Sequence, residues 1–358
     1  ANYLLNIQSF FTSWAYTNVA IDGFKIVLLF TTFLCIFIHP DDLIGQTKAV
    51  CDIQKQKVFD GKEIGHPFLG YAYLLLLLFL LIFAFGRPTE TGERGSPSTF
   101  YEYSIIIFIV GFYFFKWSKF YKYSAIVLLL LFAAQNLLFG GRITAVQLAL
   151  LLFFVIFDGR TIPWKRVIPV GIIALAIFTL VGNMRANATF TLSNLFNALM
   201  NSLKTGYTLD TAYSAYYTSL TFVKVQEVLT ISDRISLFFP FCLSMLLGGR
   251  VANSNLAKFT RDYYVHYFGG VLPFFGQFYL GIVGILLLGL LVAFYMNKMK
   301  NISDKTKGAV RCMLIYIAVT TPRWYLYSPS SLIRGVFLLS LVYFSTLLAT
   351  NSMRANKK

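Results

Sequence analysis

The sequence predicts an all-α polytopic membrane protein with about ten transmembrane helices. Of its 358 residues, 57% are apolar and only 13% are charged, which is about half the charged share of a soluble domain. The mean hydropathy is +0.66. Apolar runs such as Leu74–Phe83 are continuous rather than alternating, which favours helices over the strands of a barrel. An aromatic content of 18% excludes a disordered chain.

Nine segments are apolar enough to be predicted as spans, with polar flanks at the interface. In chain order they are Phe24–Ile38, Pro67–Gly86, Phe100–Trp117, Ser124–Phe139, Ile143–Phe157, Val167–Gly182, Val271–Met296, Ala309–Thr321 and Gly335–Thr350. Residues 1–21 form either a tenth span or an interfacial helix. Ile235–Gly248 is short and contains Pro240, so we expect a re-entrant or interfacial segment, with a true span as the alternative. The expected total is 9 to 12 spans.

The positions of lysine and arginine predict the orientation of these spans. If the spans alternate, one side holds fourteen Lys and four Arg, and we assign it to the cytoplasm. Its loops are 39–66, 116–122, 160–166 and 298–311, together with the C-terminal tail. The other side, which we call the outer side, holds the loops 87–99, 140–142, 322–334 and the long segment 183–270.

The spans and the long outer segment divide the chain into three parts. Residues 1–182 hold the N-terminal transmembrane helices, and residues 271–358 hold the C-terminal ones. Residues 183–270 form a long outer loop with amphipathic and re-entrant segments. Its clearest pattern is Thr191–Lys204, whose apolar residues recur at helical spacing. Such a helix most simply lies on the membrane surface, although its asparagine-rich face could instead bind sugar hydroxyls.

The outer side is rich in arginine, with nine Arg and only three Lys. A guanidinium stays ionised when buried and binds phosphate or carboxylate through two parallel hydrogen bonds. This enrichment indicates a polyanionic ligand at the outer face, and the alternative is simple anchoring at lipid headgroups. The net charge is +16, and no nucleic-acid motif is present. We therefore attribute the excess of basic residues to their role in orienting the spans and to contacts with anionic lipids.

Two Gly-Gly-Arg turns supply the first candidate site residues. Arg142 follows Gly140-Gly141, Arg250 follows Gly248-Gly249, and both turns come after apolar segments on the outer side. Glycines permit a left-handed turn that exposes backbone N–H groups beside the guanidinium. An anion could bind there, and the alternative is a pair of ordinary helix ends.

The second group of candidates surrounds the last outer segments. Arg261, Asp262 and His266 stand together in an aromatic-rich stretch, where His266 first and Asp262 second could accept a proton from a hydroxyl nucleophile. Arg323 and Arg334 bracket the final outer loop and could converge on one cavity. The alternatives are an aromatic belt and interface anchoring. The four cysteines form no CxxC pair, so we expect neither a disulfide framework nor a metal site.

Together these features resemble the O-antigen polymerase family (Wzy-type oligosaccharide repeat-unit polymerases) of bacterial inner membranes. The resemblance rests on about ten spans, a long loop in the second half, outer arginines, and a block from His266 through Leu272-Pro273 to Gly281 and Gly284. The related O-antigen ligases carry Asn after the His and Glu where this chain has Tyr279. The polymerases are therefore favoured over the ligases.

The resemblance implies a GT-C-like, metal-independent glycosyltransferase without a cofactor, acting at the periplasmic face. An acceptor sugar hydroxyl would attack an oligosaccharide carried on undecaprenyl pyrophosphate, and the lipid pyrophosphate would leave. The implied pyrophosphate ligands are Arg142, Arg250, Arg261, Arg323 and Arg334, with Arg185 in second rank, and the implied base is His266 or Asp262.

The expected partners are the undecaprenyl-pyrophosphate-linked oligosaccharide and membrane lipids, with no nucleic acid. A polysaccharide chain-length regulator stays an open question. Two alternative functions remain. One is an O-antigen ligase that transfers glycan to the lipid A core. The other is a flippase for lipid-linked oligosaccharide, or another transporter, although the span centres are nearly free of the charge that ion-coupled transporters use.

Overall fold

The computed structural model describes residues 17–38, 65–86, 97–115, 118–139, 142–157, 162–184, 200, 210–248, 251–264, 269–300 and 308–355. These residues are almost entirely helical, and the one strand-like contact among them is an isolated bridge between Phe85 and Pro97. The described helices are α1 (Thr17–Phe37), α2 (Pro67–Phe83), α3 (Thr99–Glu102), α4 (Ser104–Phe114), α5 (Lys119–Phe139), α6 (Arg142–Phe157), α7 (Trp164–Met184), α8 (Asp210–Val228), α9 (Ile231–Leu247), α10 (Leu256–Arg261), α11 (Leu272–Leu280), α12 (Ile282–Lys300), α13 (Gly308–Val319), α14 (Thr321–Leu326) and α15 (Ser330–Ala355).

The protein is an all-α membrane protein. Four helical segments among the described residues are long and apolar enough to cross a bilayer, namely Val19–Phe37, Lys119–Leu137, Ile282–Met299 and Ser330–Ala355. Shorter apolar helices occupy Pro67–Phe83, Thr99–Phe114, Ile143–Phe157 and Gly308–Val319. Each of the nine segments predicted as spans lies mostly on helix in the part of the chain that the structure describes, whereas the total of about ten spans stays a prediction.

The surfaces of the long helices suit lipid rather than water. Only 22 to 28% of each candidate span is buried inside the protein. On α2, the large apolar side chains of Leu75, Phe79 and Phe83 are exposed on the outside. A soluble monomer does not expose contiguous apolar faces of this size, because contact with water would be unfavourable. In a bilayer these apolar faces contact lipid instead of water, so they are stable without being covered by another protein.

The predicted span Val271–Met296 is wrong as a single helix. Gly281 stands between α11 and α12 with a φ of +63°, a conformation that favours glycine. A Cβ added to Gly276 would lie only 2.8 Å from the carbonyl carbon of Gly284. In a continuous helix these two residues would be about 12 Å apart along the axis. The chain therefore turns back at Gly281, a break that hydropathy alone does not reveal.

The predicted span Phe100–Trp117 is also divided. Helix α3 ends at Glu102 and α4 begins at Ser104, with Tyr103 between them. Ser98 starts α3, and its side chain accepts the N–H of Tyr101 at 3.2 Å. The start of the short helix α3 is therefore determined by its Ser98 cap, and not by the apolar run that forms α4.

The packing divides the chain into two compact units. The first unit comprises residues 1–50, 205–302 and 321–334, and the second comprises residues 51–204, 303–320 and 335–358. Each unit thus combines segments that are distant in the sequence. The three parts predicted from the sequence, 1–182, 183–270 and 271–358, were defined by apolar segments along the chain and not by packing. That division stays a prediction.

The second unit is held together by a buried polar network. The hydroxyl of Tyr101, which is fully buried, donates to Oε1 of Gln135 at 2.7 Å and accepts from Nδ2 of Asn136 at 3.0 Å. Nε2 of Gln135 donates to the carbonyl oxygen of Leu81 at 3.2 Å. These bonds join α2, α3 and α5 at ends that the predicted topology places on the outer side. The buried hydroxyl of Tyr101 and the amide groups that it contacts thereby find hydrogen-bond partners in an apolar interior, although Oδ1 of Asn136 has none among the described residues.

Candidate functional site

The structure describes the side chains of four of the eight predicted site residues. These four are Arg261, Asp262, Arg323 and Arg334, and all of them belong to the first unit. Arg142 begins α6 in the second unit, but its side chain lies outside the described residues. Arg185, Arg250 and His266 also lie outside the described residues, as does almost all of the predicted amphipathic helix Thr191–Lys204.

Helix α8 is the buried framework of the first unit. Its hydroxyl residues Thr218, Ser219 and Thr221 are fully buried. Oγ1 of Thr221 donates to the carbonyl of Thr218 at 2.6 Å, and Oγ of Ser219 donates to the carbonyl of Ala215 at 2.8 Å. The same Ser219 oxygen accepts the backbone N–H of Val271 at 2.7 Å. Helix α8 therefore fixes the point where α11 begins.

Gly269 and Gly270, which precede α11, are anchored beside α14. Gly269, three positions after His266, has a φ of +126°, and a Cβ there would lie 3.1 Å from the carbonyl oxygen of Leu326. The N–H of Gly270 donates to that same oxygen at 3.1 Å. Only glycine permits this approach of two backbones. Since Leu326 ends the helix that carries Arg323, Gly269 and Gly270 lie beside that helix.

Helix α14 is itself held in the interior of the unit. Trp324 is buried, and the ring of Tyr325 packs on Phe30 of α1 with centroids 6.5 Å apart. Helix α14 also contacts α8 and α11. The neighbouring Arg323 is only partly buried. The packing of Trp324 and Tyr325 therefore fixes the position of the helix that carries Arg323.

Helix α10 presents Arg261 and Asp262 at its exposed end. Asn255 caps the helix, its side chain accepting the N–H of Lys258 at 3.1 Å. Thr260 is fully buried, and the helix packs against α8. The side chains of Arg261 and Asp262 are exposed. A guanidinium and a carboxylate therefore stand at the surface, four or five residues before His266.

Arg334 lies at the second Gly-Gly-Arg turn. Its Nη2 donates to the carbonyl oxygen of Ser244 at 2.8 Å, and the N–H of Gly248 donates to the same oxygen at 3.0 Å. Gly248 has a φ of +88°, and a Cβ on it would lie 3.4 Å from Cζ of Arg334. The guanidinium thus sits at the C-terminal end of α9, where the helix dipole is negative. Two motifs distant in the sequence are brought together there.

The charge of Arg334 is left without a counter-ion among the described residues. Its acceptor is a neutral carbonyl, and the ion pairs that occur between described residues are Lys25–Asp22 and Lys224–Glu227. Its Nε atom is buried and makes no hydrogen bond to a described residue. A partly buried guanidinium that has only a carbonyl partner retains its capacity to bind an anion.

Arg234 makes a contact between two helices that the sequence does not reveal. Thr230 and Asp233 form a capping box at the start of α9, and two hydrogen bonds from Thr230 hold the pKa of Asp233 below its usual range. Nη1 of the adjacent Arg234 donates to the carbonyl of Phe278 at 3.3 Å, near the end of α11. The Thr-x-x-Asp pattern was the available signal for the cap, but nothing in the sequence indicated the contact with α11.

The C-terminal ends of helices α1 and α12 lie together. Nδ2 of Asn297 donates to the carbonyl of Phe37 at 3.3 Å. The side of the membrane on which these two ends lie stays a prediction.

The chain matches no protein-family model, no curated protein and no solved structure. The fold and the site therefore define a class only, a helical membrane protein with a partly buried arginine, Arg334, that has no carboxylate partner in the described part of the chain.

Proposed function

We propose that this protein is a membrane glycosyltransferase that polymerises undecaprenyl-pyrophosphate-linked oligosaccharide repeat units. It would act without a metal at the periplasmic face of the bacterial inner membrane, as a GT-C-like enzyme with about ten spans. The observation that carries the proposal is Arg334, whose guanidinium stands at the Gly248 turn without a carboxylate partner among the described residues. Such a group is suited to an anionic leaving group such as pyrophosphate.

The proposed reaction needs one base and fixed positive charge. An acceptor sugar hydroxyl attacks the anomeric carbon of the donor chain. The bond from that carbon to the pyrophosphate oxygen breaks, and the lipid pyrophosphate leaves with the electron pair. The proton of the hydroxyl passes to His266, or to Asp262 as the second candidate. Asp262 supports this role because its side chain is exposed at the end of α10.

Arginines would stabilise the negative charge that develops on the leaving pyrophosphate. Arg334 is the first candidate, and Arg250 follows Gly248 by two residues in the turn that Arg334 contacts. Arg323 and Arg261 are placed on helices that both pack against α8. Arg142 and Arg185 complete the proposed set, with Arg185 in second rank. The exposed apolar helix faces support a membrane-embedded site for a lipid-linked substrate.

Polymer length in bacteria tests this function. A strain that makes the cognate repeat unit but lacks its own polymerase is complemented with wild type, His266→Ala, Arg334→Gln or Arg334→Lys, at matched membrane expression. Wild type should produce a ladder of glycan lengths. His266→Ala and Arg334→Gln should leave a single repeat, and Arg334→Lys should retain short ladders because it keeps the charge. Arg354→Gln, at the other end of α15, is the control and should leave the ladder intact.

The results of this experiment distinguish a wrong function from a wrong choice of site residues. If the wild-type protein produces no ladder, the proposal that it is a polymerase is wrong. Transfer of a single unit to the lipid A core would then indicate a ligase, and accumulation of flipped lipid-linked units would indicate a flippase. A ladder that survives both His266→Ala and Arg334→Gln supports polymerisation and contradicts the proposed residues.

A further inference from the structure

The segment 251–264, which contains α10, has a polar surface. Its exposed polar and charged residues are Asn253, Asn255, Lys258, Arg261 and Asp262. Within this segment Tyr263 is the one large hydrophobic side chain that is exposed. Helices α2, α7 and α9 instead expose many large apolar side chains, as contact with lipid requires. Charged groups are costly in hydrocarbon, so the exposed face of α10 contacts water rather than the bilayer interior.

Hydrogen bonds within the segment fix the backbone of α10. Asn253 has a φ of +56°, a left-handed conformation that asparagine tolerates better than most residues. Oγ of Ser254 then donates to the carbonyl of Val251 at 2.7 Å. At the other end of the helix, the N–H of Tyr263 donates to the carbonyl of the fully buried Thr260 at 3.2 Å. The exposed end of α10 is therefore preorganised.

Tyr263 stands on this polar face with 48% of its surface exposed. Its ring packs on Phe259 with centroids 5.5 Å apart, which holds it in place. Tyrosines that anchor at a membrane surface lie where an apolar helix face ends. Tyr123 of α5 is such a residue, since exposed Val127 and Leu130 follow it. Tyr263 has no exposed apolar neighbour of this kind on α10, so anchoring in lipid does not explain its exposure.

We propose that the exposed face of α10 binds a sugar of the oligosaccharide chain. The inference rests on the proposed function, since it gives the glycan of the donor or the acceptor a place to bind. A pyranose has an apolar face of C–H groups and a rim of hydroxyls. The Tyr263 ring packs against the C–H face, the Lys258 ammonium donates to hydroxyl oxygens, and the Asp262 carboxylate accepts from hydroxyl groups.

Equilibrium binding to the full chain in nanodiscs tests this site. The probe is the repeat-unit oligosaccharide of the complemented strain, released from its lipid by mild acid so that it carries no phosphate. Tyr263→Ala should weaken binding by about five- to tenfold, the factor that one aromatic contact contributes. Tyr263→Phe keeps the ring and should bind as wild type does. Lys258→Ala removes a donor and should weaken binding by about threefold.

Tyr123→Ala is the matched control, because Tyr123 is 66% exposed on α5. It should leave the affinity for the oligosaccharide unchanged. Both tyrosines are exposed, so both alanine variants should melt close to the wild-type temperature, and a loss of affinity then reports the lost contact. Equal affinities of wild type and Tyr263→Ala, or equal losses in Tyr263→Ala and Tyr123→Ala, overturn the proposal.

Competition distinguishes a sugar from a lipid headgroup. Glycerophosphoglycerol, the headgroup of phosphatidylglycerol, should not displace the oligosaccharide at equal concentration, and displacement overturns the sugar site. The binding assay and the glycan ladder are independent measurements. Binding that depends on Tyr263 in a protein that forms no ladder supports this site and contradicts the polymerase. A wild-type ladder without such binding supports the polymerase and overturns this site.

Discussion

The backbone contact between Gly276 and Gly284 predicts that Gly284→Ala destabilises the first unit. A Cβ on Gly284 would overlap the carbonyl oxygen of Gly276. Because the overlapping atom belongs to the backbone, no rotamer change relieves it, and α11 and α12 must move apart. Overpacking of this kind costs about 1 to 3 kcal/mol. The better helix propensity of alanine offsets up to about 1 kcal/mol of that cost.

The free energy of unfolding should therefore fall by up to about 2 kcal/mol relative to wild type, and by about 1 to 3 kcal/mol relative to a helical Gly→Ala change that meets no neighbour. Thermal unfolding of the purified protein in detergent, followed by tryptophan fluorescence, should show a midpoint lowered by a few degrees. Gly171→Ala on α7 is the matched control, since a Cβ there meets no atom within 4 Å. Its midpoint should equal or exceed that of wild type. A Gly284→Ala midpoint as high as that of Gly171→Ala refutes the close packing of the two helices.

Three further changes are checked by the same melting experiment. Ser219→Ala removes the acceptor of the buried Val271 N–H and should lower the free energy of unfolding by about 1 to 3 kcal/mol. Tyr101→Phe removes the hydroxyl that binds Gln135 and should cost a similar amount; an unchanged midpoint contradicts either contact. For Asp233, whose pKa is lowered in the folded state, the advantage over Asp233→Asn should be constant from about pH 7 to 5. It should shrink as the pH falls below about 4, whereas an advantage that grows with acidification contradicts the capping box.

Much of the helical framework could be predicted from the sequence because lipid imposes long, continuous apolar runs. The nine predicted spans therefore lie mostly on helix within the described residues. The break at Gly281 could not be predicted, since a glycine inside an apolar run is tolerated in many helices. What decides its conformation is the close approach of Gly276 to Gly284, a tertiary contact between backbones.

The sequence offered the parts of the candidate site separately. Glycines such as Gly248 permit a left-handed turn, and Arg334 was predicted to stand at the outer side. The sequence did not indicate that the two would meet, because their contact joins residues far apart in the chain. Arg234 was missed for the same reason, as its partner is a carbonyl on another helix. Hydropathy and motifs thus predict elements, and long-range contacts decide which of them share a site.

The most direct test of the central claim is polymerisation by the purified protein. The full chain is reconstituted in nanodiscs and supplied with the cognate undecaprenyl-pyrophosphate-linked repeat unit, and the products are separated by length. We predict a ladder of glycans and release of undecaprenyl pyrophosphate in proportion to the bonds formed. Intact single repeat units, with no lipid pyrophosphate released by a well-folded preparation, would contradict the account.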